Sequence, residues 1–158
     1  MKGEIHVTGG AVRAEFDFWV GLYLDKFYAA LEQNKFIGNK CPKCGKVYCP
    51  PRKKCGDDFA TLPLDDASAW VDLPNTGTLI NFTYTPWQVT ERRARLKKKN
   101  EPIGLVKIDG ADSAMFVPIL DIEPENLKTG MKVEVVWNKK NKGGHPEDIA
   151  GFKPAGGG

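Results

Sequence analysis

The segment CPKCGKVYCPPRKKCGDD, residues 41–58, holds all four cysteines of the chain and sets the tightest limit on what it can fold into. Cys41 and Cys44 form a C-x-x-C pair, a spacing whose tight turn points two sulfurs the same way. Pro42 pre-sets one backbone angle of that turn, and Gly45 permits the positive φ that folds the chain back over the sulfurs. Cys55-Gly56-Asp57-Asp58 repeats the spacing, with Asp58 where a second cysteine would stand. A carboxylate is a zinc ligand at about 2.0–2.2 Å, though structural sites use it less often than thiolate. Cys49 competes for the fourth position, but it runs directly into Pro50-Pro51, where the chain is forced extended and away from the first turn. The expected metal set is Cys41, Cys44, Cys55 and Asp58, with Cys49 the alternative to Asp58.

The ion is expected to be structural. A hydrolytic zinc keeps an open position and needs a general base nearby, whereas His6 and His145 lie near opposite ends of the sequence, far from the cysteines. An electron-transfer iron would favour four thiolates. What remains is a staple that closes a loop with no core of its own. No signal-like segment opens the chain and no apolar run approaches the roughly 18 residues that span a bilayer. A cytoplasmic location is the expectation, and thiols there stay reduced and serve metals more readily than disulfides.

On either side of the cysteines the texture differs. Trp19, Tyr23, Phe27 and Leu31 recur at helical spacing beside Val20, Leu24 and Tyr28, which predicts a helix over 16–33 with a polar exit at Gln33-Asn34-Lys35. Phe16, Phe18, Trp19, Leu22 and Tyr23 go around much of that cylinder, so part of it is expected to lie against another protein. From Trp70 onward, runs at 76–86, 103–109, 114–122 and 131–137 carry the alternation or β-branched content of strands, with a short strand before them at 68–72. Five short strands separated by Gly, Asp and Asn clusters predict a small all-β barrel. The closing PAGGG reads as a flexible tail.

Taken in order, these stretches resemble a family of small non-catalytic partners of acyl-CoA enzymes. Its members carry an N-terminal helix, a rubredoxin-like zinc ribbon of pattern C-x-x-C-G…P-P-R…C-x-x-C, and a C-terminal OB-fold. The partners are thiolases, the thiolase–hydroxymethylglutaryl-CoA synthase assembly of archaea, and hydratases of steroid side-chain breakdown. FDFWVGL, CPKCGKVYCPPRKKC, GTLINFTYTP, EPIGLVKIDG, DIEPENLKTGMKVEVVW and GFKPA follow the family's order; Pro50-Pro51-Arg52 and Gly130-Met131-Lys132-Val133 are the more specific marks. The chain departs from the pattern at Asp58, commonly cysteine, and at Cys49, commonly aromatic.

The resemblance implies a mainly β protein with an N-terminal helix: helix and zinc ribbon in 1–66, a five-stranded OB-fold barrel in 67–155, a tail at 156–158. It also implies no activity of its own, structural Zn2+, and a place in a hetero-oligomer with a thiolase-like catalytic subunit. The residues agree independently, because the cysteines are committed to metal, the histidines are isolated, and thiolase chemistry needs a free Cys and a His.

The run QVTERRARLKKKN, 88–100, sits between two strands as a charged loop. Arg forks pair well with phosphate oxygens, and the resemblance makes coenzyme A the ligand, with Arg92, Arg93 and Lys97 on its phosphates beside the catalytic subunit. The rival is single-stranded nucleic acid on a basic groove with Phe82, Tyr84 and Trp87 as stacking platforms. A net charge of +3 is mild for that role, and Phe82 and Tyr84 share a strand face that a small barrel turns inward.

Overall fold

The structure, a computed structural model, describes residue 14 and residues 17–90, 95–140 and 143–156, without the side chains of 85–90 and 95–101. Helix α1 spans Leu22–Glu32. It begins six residues later than the periodicity predicts because Gly21 takes φ 86 and ψ 158, outside helical geometry. Phe18 and Trp19 therefore precede the helix, each 75% exposed, and the face that docks inward is narrow: Phe27, Ala30 and Leu31. The exit falls where expected, with Gln33 as C-cap and Asn34 at φ 57.

Two antiparallel sheets follow. Strands β1 (Phe36–Lys40), β2 (Val47–Tyr48) and β3 (Trp70–Leu73) form the ribbon sheet in the order β2-β1-β3. The short strand expected to open the barrel is thus β3, and it pairs instead with β1, Phe36 opposite Leu73 and Asn39 opposite Trp70. The barrel comprises β4 (Thr76–Thr90), β5 (Arg95–Ile108), β6 (Met115–Pro118), β7 (Lys132–Trp137) and β8 (Ile149–Pro154), ordered β6-β5-β4-β7-β8. A parallel bridge from Ile119 to Phe152, with Leu120 N–H donating to Phe152 O at 2.7 Å, curls β6 towards β8. A three-strand meander whose ends are joined by a further hairpin is the Greek-key arrangement of an OB-fold. Its fifth strand, β8, is not among the strands read from the sequence.

Strands β4 and β5 are also longer than expected. The sequence reading stops β4 at Pro86, which has no N–H for a ladder. The structure passes it through a register shift between Thr85 and Trp87 and continues pairing to Thr90 opposite Arg95. Residues 95–100 of the basic run are accordingly strand backbone, with Lys97 opposite Gln88, rather than loop.

One core joins the parts. Phe27 and Leu31 of α1, Phe36, Val47, Cys49 and Leu73 of the ribbon region, and Leu79, Val106, Ile108, Val133 and Phe152 of the barrel form one buried cluster. Phe36, fully buried, is its hub, with ring centroids 6.4 Å from Phe27, 5.0 Å from Trp137 and 6.1 Å from Phe152. The turn after β5 ties in as well: Val47 N–H donates to Asp112 Oδ2 at 2.8 Å, and Cys49 N–H to Ser113 Oγ at 2.8 Å. A second, small cluster of Cys41, Tyr48, Cys55 and Leu62 lies apart from this core. Among the described residues no helix is long and apolar enough to cross a membrane.

A candidate metal centre in the ribbon

Strand β1 delivers Cys41 at its end, and the chain turns at once. Gly45 N–H donates to Cys41 O at 3.0 Å, Cys41 N–H donates to Lys46 O at 2.8 Å, and Gly45 sits at φ 76. The second turn is built alike. Cys55 N–H donates to Ala60 O at 2.9 Å, Lys54 bridges to Thr61, and Phe59 takes the left-handed position at φ 56 that Gly45 takes in the first turn.

Between these turns the sulfurs of Cys41, Cys44 and Cys55 and a carboxylate oxygen of Asp58 lie within 4.8 Å of one another. The Cys44 and Cys55 sulfurs are 3.6 Å apart, and the Cys41 thiol donates to Asp58 Oδ2 at 3.3 Å. Ligands about 2.3 Å from a tetrahedral zinc stand roughly 3.8 Å apart, close to those two separations and inside the 4.8 Å bound, so the four donors suit a zinc-sized ion. Cys49 is elsewhere: fully buried in the main core, where burial pushes its thiol up to about 12.

The four donors are not electrostatically alike. Asp58 accepts from Ala60 N–H at 2.8 Å, and that bond holds its carboxyl below the ordinary value, against the effect of burial. Burial alone would raise the Cys55 thiol. Hydrogen bonds from the Tyr48 hydroxyl and the backbone N–H groups of Asp58 and Asp57 outweigh it and hold the thiol below its usual value. For Cys44 the balance goes the other way. The Lys46 backbone favours its thiolate, but lost solvation and the neighbouring sulfurs and carboxylate push it up to about 11. Lys46, ion-paired with Asp57, is held above its ordinary value by that bond.

Two residues that sequence reasoning did not single out hold the turns together. Asn39, fully buried, donates to Arg52 O at 2.7 Å and accepts from Arg52 N–H at 3.1 Å, locking β1 to the Pro50-Pro51-Arg52 segment. Tyr48 on β2 reaches the second turn with its hydroxyl 3.1 Å from Cys55 Sγ. A buried Asn and a Tyr flanked by cysteines carry no spacing signature of their own; only the fold makes them neighbours of the site.

Of the other expected site residues, Arg92 and Arg93 lie outside the described residues, as does the side chain of Lys97. His6 also lies outside them, while exposed His145 caps a short 3-10 turn by accepting from Glu147 N–H at 3.2 Å. Phe82 and Tyr84, both half-buried, pack against the main core, and the Tyr84 hydroxyl donates to Pro124 O at 2.7 Å, while the side chain of Trp87 lies outside the described residues. Exposed apolar side chains gather instead where the chain runs into α1. Phe18, Trp19 and Leu22 are exposed there, and Trp19 and Leu22 line a groove of about 530 Å³ that Pro51, Arg52 and Lys53 line from the ribbon side.

Comparison with known proteins follows the same two-part division. Residues 29–61 match the family described as "ChsH2, rubredoxin-like zinc ribbon domain", and residues 70–138 match "ChsH2, C-terminal OB-fold domain". Among solved structures, a protein of unknown function from the DUF35 family of Sulfolobus solfataricus is 19% identical. The alignment covers 83% of this chain and 84% of that one, with a TM-score of 0.57. A structure described as the Ltp2-ChsH2(DUF35) aldolase is 17% identical over 82% of this chain and 91% of that one, with a TM-score of 0.54. At these identities the likeness is one of fold. A comparison with curated proteins finds no match.

Proposed function

We propose that this chain, which belongs to the ChsH2-type family of zinc-ribbon and OB-fold proteins, is a non-catalytic accessory subunit of an acyl-CoA enzyme. The observation that carries the reading is a Cys3Asp donor set in a ribbon that shares one core with an OB barrel, together with exposed Phe18, Trp19 and Leu22 where the chain enters α1. In this reading Cys41, Cys44, Cys55 and Asp58 hold Zn2+, which supplies cross-linking and no bond-breaking chemistry. With all four ligand positions taken by the chain, no site is left for a substrate. The solved structure that contains both Ltp2 and ChsH2(DUF35) is described as an aldolase; a thiolase-type partner for this chain rests on the resemblance set out above. The thiolase that cleaves benzoylsuccinyl-CoA at the end of anaerobic toluene degradation is the specific partner to test first.

We assign the division of labour as follows. The helix and ribbon in 1–66 dock on the catalytic subunit through Phe18, Trp19 and Leu22, and the barrel in 67–155 borders the substrate entrance, with β3 crossing back to brace the ribbon. Arg92, Arg93 and Lys97 then serve the phosphates of the CoA ester, which Arg forks suit. Co-expression with the neighbouring reading frames, pull-down and metal analysis test the assembly: an acyl-CoA enzyme chain and one zinc per copy are expected. Replacing Arg92, Arg93 and Lys97 together by Ala should raise the apparent KM for the acyl-CoA; an unchanged KM removes the CoA role alone. Thioester turnover by the chain free of any partner would contradict the accessory role.

A further inference from the structure

We propose that Tyr48 is a positioning residue for the metal, its hydroxyl donating a hydrogen bond to the sulfur of Cys55. The inference rests on the zinc reading above and concerns a group outside the four donors. The direction of the bond follows from proton counting. The hydroxyl oxygen accepts Gly56 N–H at 3.1 Å, leaving its single proton to point elsewhere, and Cys55 Sγ lies 3.1 Å away. A metal-bound thiolate has no proton, so of the two atoms only Tyr48 can donate. Asp57 N–H approaches the same sulfur at 3.5 Å, which makes Cys55 the most heavily hydrogen-bonded of the three sulfurs.

The donor is rigid. Tyr48 is 5% exposed and lies on β2, opposite Asn39 of β1. The Arg52 guanidinium carbon is 4.3 Å from its ring centroid, and Arg52 is itself fixed by Asn39. Through one oxygen the first hairpin thus holds both the backbone and the sulfur of the second turn. Three thiolates and a carboxylate around a dication leave two negative charges in excess, and donated hydrogen bonds spread that charge as well as aim the ligand.

Tyr48→Phe removes only the oxygen and keeps the packed ring. Competition with a chelator is expected to show zinc binding weakened about 10- to 100-fold, the range typical of lost outer-shell partners. In the Co2+-loaded protein the thiolate-to-cobalt charge-transfer band should move to lower energy, because a thiolate without its hydrogen bond gives up an electron more easily, while the ligand-field bands stay tetrahedral. Tyr84→Phe is the control: its hydroxyl donates to Pro124 O at 2.7 Å in the barrel, so it should shift neither affinity nor band. Should Tyr48→Phe fail to fold, 3-fluorotyrosine at position 48 keeps the bond and strengthens the donor, and the band should then move to higher energy. Unchanged affinity with an unmoved band would overturn the role of Tyr48. A wild-type chain that binds no zinc would overturn the zinc reading itself.

Discussion

Phe36→Ala is the sharpest probe of how the ribbon and barrel depend on each other. The side chain is fully buried on β1 and touches Phe27 of the helix and Trp137 and Phe152 of the barrel. Burying a phenylalanine removes at least ~150 Å² from water, worth about 4 kcal/mol at 25 cal/mol/Å². Ala retains a little of this, and the cavity left among three rings adds to the loss, so the cost should be about 3–5 kcal/mol. Against a total stability of about 5–15 kcal/mol, that is a large share. Peptide-resolved hydrogen exchange under increasing denaturant reads the result. Amides of Phe36–Lys40 and of Lys132–Trp137 should lose protection by the same free energy, because one core serves both. If only the ribbon peptides loosen while the β7 peptides stay as in wild type, the shared-core reading is wrong.

Other substitutions give further tests. Asp58→Ala should abolish stoichiometric zinc while Cys49→Ser leaves it intact, since Cys49 lies in the main core; chelator competition on both variants decides. Phe59 is 75% exposed at φ 56, where a side chain other than glycine costs roughly 1–2 kcal/mol. Phe59→Gly should therefore leave stability unchanged or raise it by up to about 1 kcal/mol, and a loss in thermal melting above that size would mean that the ring packs on its own chain. Asp109 accepts from Lys132 Nζ at 2.7 Å and Thr76 Oγ1 at 2.8 Å, and these bonds hold its carboxyl below the ordinary value. Its folded pKa is depressed, so it contributes stability above the unfolded pKa and loses it as pH falls through the folded one. Melting temperature against pH should fall less steeply at acid pH in Asp109→Asn than in wild type.

The clustering of Cys41, Cys44, Cys55 and Asp58 was legible because each knuckle is local: Cys41, Cys44 and Gly45, and Cys55 and Asp58, meet through turns of a few residues, and the structure brings the four side chains together. The mainly β architecture was legible for a similar reason, since alternation along β4 and β7 reports one buried face. The start of α1 was not. Trp19 fits the helical stripe, but the backbone freedom of Gly21 breaks the helix after it. Pairing partners were not legible either. Nothing in Trp70–Leu73 says that it joins β1 rather than the barrel, because register is settled by contacts distant in sequence. Strand β8, Ile149–Pro154, was hidden by its Gly151 and closing Pro154, which weaken the alternation that identifies a strand. Tyr48 and Asn39 were invisible for the reason given at the site: their partners are assembled by the fold.

X-ray absorption at the zinc edge of the purified protein tests the staple most directly. Three sulfurs at about 2.3 Å and a single oxygen at about 2.0–2.2 Å, with no fifth scatterer, are expected. Four sulfurs would bring Cys49 into the site, against its burial in the main core, and a coordinated water beside fewer than three sulfurs would mean an open ion suited to chemistry.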